Sequence, residues 1–232
     1  MLSVCTLPCG TSDKYLRIAV NVRSPIILPP TARFMAYVPG FTNDIFISYS
    51  HKDDQAVDGP GWVTDFHRHL SIEVEEALGE DVHIWRDKRI TGATDFTKDL
   101  EKQIRGSAIL LAVLSPGYVK SKWCDWELKG FAGSRRVGDL WVDTKCRAIK
   151  VIKRPPDPGT LQVLPETEGV KLFDLDLTDD VSYEMDWSSA LYRQRLTVLG
   201  NDIKFILRAM FPNGLTLRPT DPSRRWRSLP AV

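Results

Sequence analysis

The stretch AILLAVLS (108–115) runs through seven apolar residues before its first polar one, and it constrains the fold more than any other feature of the chain. A short, continuous apolar run of this kind reads as a strand with both faces buried, at the centre of a sheet covered by helices. A second such strand is NDIFISYS (43–50), where Ile45, Phe46 and Ile47 follow Asp44. Between and after them the periodicity changes. In 61–79, Trp62, Phe66, Leu70, Val74 and Leu78 recur at every fourth position on one helical face, and Gly79 ends the run. Val82–Trp85 has a strand pattern, and a helix over about 96–105 places Phe96, Leu100 and Ile104 on one side. A helical region at 116–133 follows, with Ser115 as N-cap and Pro116 in its first turn. RAIKVIK (147–153) and VKLFDLD (170–176) read as fourth and fifth strands, and the last helix spans about 188–211. Five strand patterns alternating with helices predict an α/β domain with a parallel sheet joined by right-handed crossovers.

The expected domain covers 42–211. Residues 1–41, with five prolines, read as an irregular N-terminal extension, and 212–232 as a basic, proline-containing tail or linker. The 31 basic and 30 acidic side chains nearly cancel, which gives no argument for a nucleic-acid partner. No apolar run approaches the ~20 residues of a membrane helix, and MLSVCTLPCG lacks the pattern of a secretory signal. The four cysteines (Cys5, Cys9, Cys124 and Cys146) have no zinc-finger spacing. The sequence therefore predicts a cytoplasmic protein with no metal site, no membrane partner and no direct nucleic-acid partner.

In a parallel α/β sheet, ligands bind beyond the carboxyl ends of the strands. That rule selects Ser48, Tyr49, Ser50 and His51 after the first strand, the loop Trp85–Asp95 after the second, and Ser115–Leu128 after the third. Neither GxGxxG nor a phosphate-binding P-loop follows the first strand, which disfavours a dinucleotide-binding dehydrogenase or a P-loop nucleotidase. The densest group is YVKSKWCDWEL (118–128). Ser121 is placed to cap a turn, and Trp123 and Glu127 stand at i and i+4 on one helix face. An acidic side chain beside an indole suits a flat, partly cationic ring attached to a sugar. The same spacing equally allows Trp123 to pack on the sheet while Glu127 is a solvated charge near Lys120 and Lys129.

Three segments in order, DIFISYSHKDD (44–54), VHIWRDKRITGATDFTKDLEKQIRGS (82–107) and AILLAVLSPGYVKSKWCDWEL (108–128), resemble a Toll/interleukin-1 receptor (TIR) domain, especially the bacterial type. The features that carry the resemblance are F-I-S-Y-S followed by acidic residues, a loop containing Gly92, and the S-P-x-Y-x-x-S-x-W-C-x-x-E-L block. The resemblance implies a flavodoxin-like, five-stranded parallel sheet of order 2-1-3-4-5 flanked by helices. It also implies an NAD+ nucleosidase that breaks the nicotinamide–ribose bond, with NAD+ as substrate and no cofactor. The products expected are nicotinamide and ADP-ribose or a cyclic isomer. Activation by self-assembly with other TIR domains in antiviral defence, under a sensor domain or a separate activator, belongs to the same implication. By the motif, Glu127 is the catalytic residue. Tyr49, Ser50, Arg86 and Asp87 are nucleotide-binding candidates, and Trp85 and Trp123 are candidates for packing against nicotinamide or adenine. The alternative within the family is a non-enzymatic scaffold that signals through TIR–TIR contacts alone.

The chemistry suits one carboxylate. Nicotinamide in NAD+ is already cationic and departs neutral, so positive charge gathers on the ribose as the bond stretches. Glu127 is expected to be ionised and to stabilise that charge, with no need of a raised pKa. Other residues keep two readings. Arg86, Lys88 and Arg89 beside Asp87 make either a diphosphate contact or a solvated turn. His51 touches a phosphate or is an exposed loop histidine, and Asp53 and Asp54 cap the next helix or are solvated. His67 and His69 point to different helix faces and are no metal pair. Cys124 has no neighbouring histidine to activate it and reads as a packing residue. A phosphoacceptor domain of receiver type is disfavoured, because the third strand ends in Leu114-Ser115 and not in an aspartate.

Overall fold

A computed structural model describes residues 36–56, 58–87, 96–135, 137–157, 167–176 and 181–212, all within one compact unit, Phe34–Val232. Its main sheet contains β1 (Asn43–Ser48), β2 (Ile84–Arg86), β3 (Ser107–Leu114), β6 (Ala148–Ile152) and β7 (Val170–Lys171). They are hydrogen-bonded in the order β2-β1-β3-β6-β7, and every neighbouring pair is parallel. With the short strands β4 (Trp141–Val142) and β5 (Lys145–Cys146) set aside as a separate antiparallel pair, this is the order 2-1-3-4-5 of a flavodoxin-like fold. β3 is the central strand, and all eight of its residues are buried.

Side-chain alternation along β1 and β3 divides the core into two layers. Ile45, Ile47, Tyr49, Ile109, Leu111 and Val113 face α1 (Trp62–Leu78) and α5 (Ala190–Met210). Phe46, Leu110, Ala112 and Leu114 face α2 (Phe96–Arg105) and α4 (Lys122–Gly133). The stripe on α1 is the one its spacing specifies: Phe66, Leu70 and Val74 are fully buried, each contributing about 2 kcal/mol of apolar burial.

The helix ends follow from local chemistry. Gly79 sits at φ 76° and closes α1 in the left-handed conformation. At the other end the N-cap Gly61 has no side chain to offer, and a Cβ there would lie 1.9 Å from the Asp54 carbonyl oxygen. Asp54 supplies the cap instead: its Oδ1 accepts from the Thr64 N–H at 2.7 Å and its Oδ2 from Thr64 Oγ1 at 2.9 Å. Ser115 caps α3 (Pro116–Val119) by accepting from the Tyr118 N–H at 3.0 Å, with Pro116 in the first turn. Ser121 caps α4 by accepting from the Cys124 N–H at 3.3 Å, and Ser189 caps α5.

Two expectations change. The fifth strand does not run unbroken from 170 to 176. Only Val170–Lys171 joins the parallel sheet, and after Leu172 the chain turns into an antiparallel pair, β8 (Phe173–Asp176) with β9 (Val181–Glu184). The alternation of VKLFDLD fits either sheet, so periodicity alone could not separate them. The packed region also begins before residue 42: Ala36, Tyr37 and Val38 are buried, Tyr37 meets Phe211 edge-on at 5.9 Å, and the Val38 N–H donates to Asp44 Oδ1. The remainder of the N-terminal segment, with Cys5 and Cys9, and the tail from 213 onward lie outside the described residues. Among the described residues, no helix is long and apolar enough to cross a membrane, and no group of histidine, cysteine and acidic side chains is placed to hold a metal.

Candidate active site

The end of β1 and the second turn of α4 converge on one carboxyl group. Ser48, the last residue of β1, shares its sheet face with Phe46 and therefore points toward α4. On α4 the buried set is Cys124, Glu127, Leu128 and Phe131, an i, i+3, i+4, i+7 stripe. Glu127 is the one acidic member of that stripe, and it is only 7% exposed. Ser48 Oγ donates to Glu127 Oε2 at 2.5 Å and lies 3.1 Å from the Tyr118 hydroxyl. Glu127 is thus neither a solvated charge nor the exposed partner of Lys120 and Lys129.

Burial dominates its electrostatics. Desolvation pushes the Glu127 carboxyl up to about 7; the Ser48 hydrogen bond pulls it down by less, and the nearby Asp87 charge raises it further. This corrects the expectation of an unshifted carboxylate: near neutral pH the group is divided between its two protonation states. Among the described residues, no lysine or arginine lies within ion-pair distance of it. A buried carboxylate with a hydroxyl partner, a like charge nearby and no cation in ion-pair contact favours a cationic ligand, whose charge would offset the desolvation.

The other candidates take different places. Tyr49 follows Ser48 and so faces the opposite layer of the core; its hydroxyl donates to the Asp87 backbone carbonyl, and burial pushes its pKa up to about 12. Asp87 is buried, with Oδ2 at 3.8 Å from His51 Nε2, and the His51 ring lies 5.5 Å from that of Tyr49. Tyr49, His51 and Asp87 thus tie the end of β1 to the end of β2. Ser50 is buried against Gly117, where an added Cβ would come within 3.1 Å of Ser50 Oγ.

Arg86 is not a loop residue but the last residue of β2. Its Nη1 pairs with Asp54 Oδ2 at 2.6 Å and its Nη2 donates to Thr64 Oγ1 at 2.8 Å. In this arrangement the guanidinium is engaged with the start of α1 rather than turned outward as a free diphosphate contact. Asp54 accordingly serves as both cap and counter-ion. Trp85 stacks on Phe46, its cross-strand neighbour, at 5.0 Å and 19°, and so belongs to the packed sheet face. Trp123 is 53% exposed and meets Trp126 edge-on at 5.9 Å; it does not pack on the sheet. Lys88, Arg89 and the rest of 88–95 lie outside the described residues.

The strand-end rule took in Ser48 and Tyr118 as members of longer stretches, but neither was singled out as a site residue, although Ser48 contacts Glu127 and Tyr118 contacts Ser48. The signal for Ser48 was available: alternation from the buried Phe46 puts 48, not 49, on the side of α4. A second polar cluster lies beyond β3 and β6. Asp53 Oδ2 accepts from Ser115 Oγ at 2.6 Å, and the buried Lys153 reaches the Asp53 carbonyl at 3.2 Å and Glu184 Oε1 at 3.1 Å. It anchors the β8–β9 hairpin over the strand ends. Cys124 is 2% exposed, and burial pushes its thiol up to about 12, as suits packing and not nucleophilic attack.

Residues 45–139 match the family model TIR_2, described as TIR domain. No curated protein matches the chain. Similar solved structures include the TIR domain of the Toll-related receptor TRR-2 from Hydra magnipapillata, at 18% identity and TM-score 0.38, covering 70% of this chain and 99% of that one. Another is the TIR domains of the activated Roq1 resistosome, a structure directly recognising the pathogen effector XopQ. It has 15% identity and TM-score 0.32, with 80% of this chain and 91% of that one covered. At these scores the fold rests on the chain's own sheet order and not on the superpositions.

Proposed function

Since residues 45–139 match the TIR domain family model, we propose that this chain is a TIR domain that cleaves the nicotinamide–ribose bond of NAD+ with Glu127 as its catalytic residue. The observation that carries the proposal is the buried Glu127 carboxyl beyond the end of β1, held by Ser48 and without a cationic partner among the described residues. A cation placed against it supplies the missing charge, and NAD+ brings one on its nicotinamide ring.

In the proposed step, the ribose C1′–N bond breaks and its electron pair stays with nicotinamide, which leaves neutral. Positive charge moves to the ribose, and the Glu127 carboxylate stabilises it. Water then adds to C1′ and loses a proton, giving ADP-ribose; attack by a hydroxyl of the adenosine moiety gives a cyclic isomer. Glu127 must be ionised for this role, and free protein near neutral pH holds only part of it so. The bound nicotinamide cation lowers the carboxyl's pKa again, because an opposite charge within ~4–6 Å favours the ionised form. Binding and ionisation are thereby coupled. Ser48 is a positioning residue that fixes Oε2.

Activation by assembly of TIR domains belongs to the same proposal. Trp123, more than half exposed, lies one helical turn from Glu127, where a neighbouring copy would change the solvation of the site. A role in defence through NAD+ depletion or a nucleotide signal follows from this activity. The test is incubation of purified protein with NAD+ over a range of protein concentrations, with free nicotinamide followed by chromatography. We expect release that rises more steeply than protein concentration and falls about 10²–10³-fold in Glu127→Gln. Absence of nicotinamide under assembling conditions, or equal release by the variant, refutes the reading and leaves a scaffold that acts through TIR–TIR contacts.

A further inference from the structure

The amino-terminal end of the sheet, opposite the Glu127 site, carries a cleft of about 610 Å³, lined by Phe41, Arg105, Ser134, Arg135, Asp139 and Arg147. Its three arginines come from three element ends: the close of α2, the residue beyond the α4 cap, and the residue before β6. The cleft is separate from the strand-end site. Arg147 Nε donates to the carbonyl of Ala108, at the start of β3, whereas Ser48 is paired in register with Ala112. Four residues of strand separate those levels, about 13 Å.

Arg147 is 5% exposed, and its hydrogen bonds go to neutral acceptors: Nε to the Ala108 carbonyl at 2.7 Å and Nη1 to the Asp139 carbonyl at 2.7 Å. Its Nη2 is removed from solvent and has no hydrogen-bond partner. Arg135 is held in the same way, with Nη1 on the Phe131 carbonyl and Ser134 Oγ, and Nη2 on the Ser107 carbonyl; its guanidinium lies 3.8 Å above the Phe131 ring. Among the described residues, no carboxylate is within ion-pair distance of either group. Arg105, at the rim, is paired with Glu101. Burial pulls Arg135 down to about 10, helped by the like charges of Arg147 and Arg105, and burial likewise lowers Arg147.

A buried Arg147 and a half-buried Arg135 facing one cleft, held by carbonyls and without a carboxylate in ion-pair contact, with Asp139 acting on both only at longer range, form an expensive arrangement. An orphan donor on one of them adds to the cost. An anion with several oxygen acceptors removes both costs together, and the planar fork of arginine matches phosphate geometry. The cleft volume lies within the ~300–1,000 Å³ typical of ligand sites, so an ester can accompany the phosphate.

We propose that this cleft is a second binding site, specific for a phosphate-bearing small anion, with Arg147 and Arg135 as its ligands. The exposed Asp139 at the rim limits the cleft's net charge and disfavours long polyanions. The inference does not depend on NAD+ cleavage.

The experiment is calorimetric titration of the full chain with inorganic pyrophosphate at low ionic strength, against chloride at matched ionic strength. We expect saturable binding, weakened about ten-fold or more in Arg135→Gln, which deletes one guanidinium, and in Arg147→Lys, which keeps the charge and removes the fork. Circular dichroism establishes that each variant is folded. Should Arg147→Lys fail to fold, Arg135→Gln alone carries the test, since its side chain leaves Arg147's contacts to Ala108 and Asp139 in place. No pyrophosphate binding beyond the chloride control overturns the proposal, as does equal affinity in wild type and in the folded variants.

Discussion

Replacing Glu127 by Gln should make the protein more stable at pH 8 and leave it unchanged at pH 4. Glutamine keeps the shape, and its amide oxygen can still accept from Ser48, so the substitution chiefly removes the titration. The folded-state pKa of about 7 lies above the ordinary 4.5. For a carboxyl raised in this way, the stabilising form is the protonated one. Its contribution is fully present below pH 4.5 and is lost as the pH rises through 7. At about 1.4 kcal/mol per pH unit between the two values, the wild type forfeits about 3 kcal/mol across that window and the variant does not. In a chain of this size that corresponds to roughly 6–12 °C in melting temperature.

The assay is urea denaturation of both proteins at half-unit steps from pH 4 to pH 8.5. The quantity of interest is the difference between them, because carboxyls remote from residue 127 titrate alike in both. A difference that grows from near zero to about 3 kcal/mol, with its midpoint between 4.5 and 7, is the expected result. A constant difference would falsify the claim that Glu127 is buried without a counter-charge, and a variant less stable at pH 8 than the wild type would mean that a cation partner exists.

The remaining predictions concern chemistry and support. kcat/KM for NAD+ should rise with pH through about 7, because it reports the free protein's Glu127 in its required ionised form. The pH profile of kcat should break at a lower pH, since the bound cation pulls the group down; coincident breaks count against the coupling. Arg86→Gln should destabilise by about 3 kcal/mol in thermal or urea unfolding, because it leaves Asp54 partly buried without its cation; a loss under about 1 kcal/mol contradicts the ion pair as described. Cys124→Ala should keep nicotinamide release while costing about 1–2 kcal/mol of packing, and native protein should resist thiol alkylation at Cys124 at pH 8. Trp123→Ala should change the stability of the isolated chain by less than about 0.5 kcal/mol, so a fall in activity at unchanged stability would assign Trp123 to ligand or neighbour contacts.

Much of the fold was legible because its determinants are local and periodic. The apolar run at 108–115 became the central strand, the fourfold spacing in 61–79 became the buried face of α1, and Gly79, Ser115 and Ser121 ended or capped helices as their side chains dictate. What escaped depends on partners distant in the chain. Nothing around Arg86 announces Asp54, thirty-two positions away, and the turn after Leu172 rests on the antiparallel pairing of β8 with β9, which strand alternation does not announce.

The site shows the same division within a single helix. Reading Trp123 and Glu127 as i and i+4 neighbours put both on one face, which is correct geometry for the wrong stripe. The apolar neighbours Cys124, Leu128 and Phe131 set the buried meridian of α4, and Glu127 lies on it while Trp123 lies at its margin. A helix rotates about 100° per residue, so a shift of one position in the chosen stripe exchanges a half-exposed indole for a sequestered thiol. The stripe 124/127/128/131 places a glutamate among core positions on sequence spacing alone. A charge in that position costs stability unless something else uses it. That cost is why pH-dependent unfolding, which needs no substrate, and nicotinamide release, which does, should report on the same carboxyl.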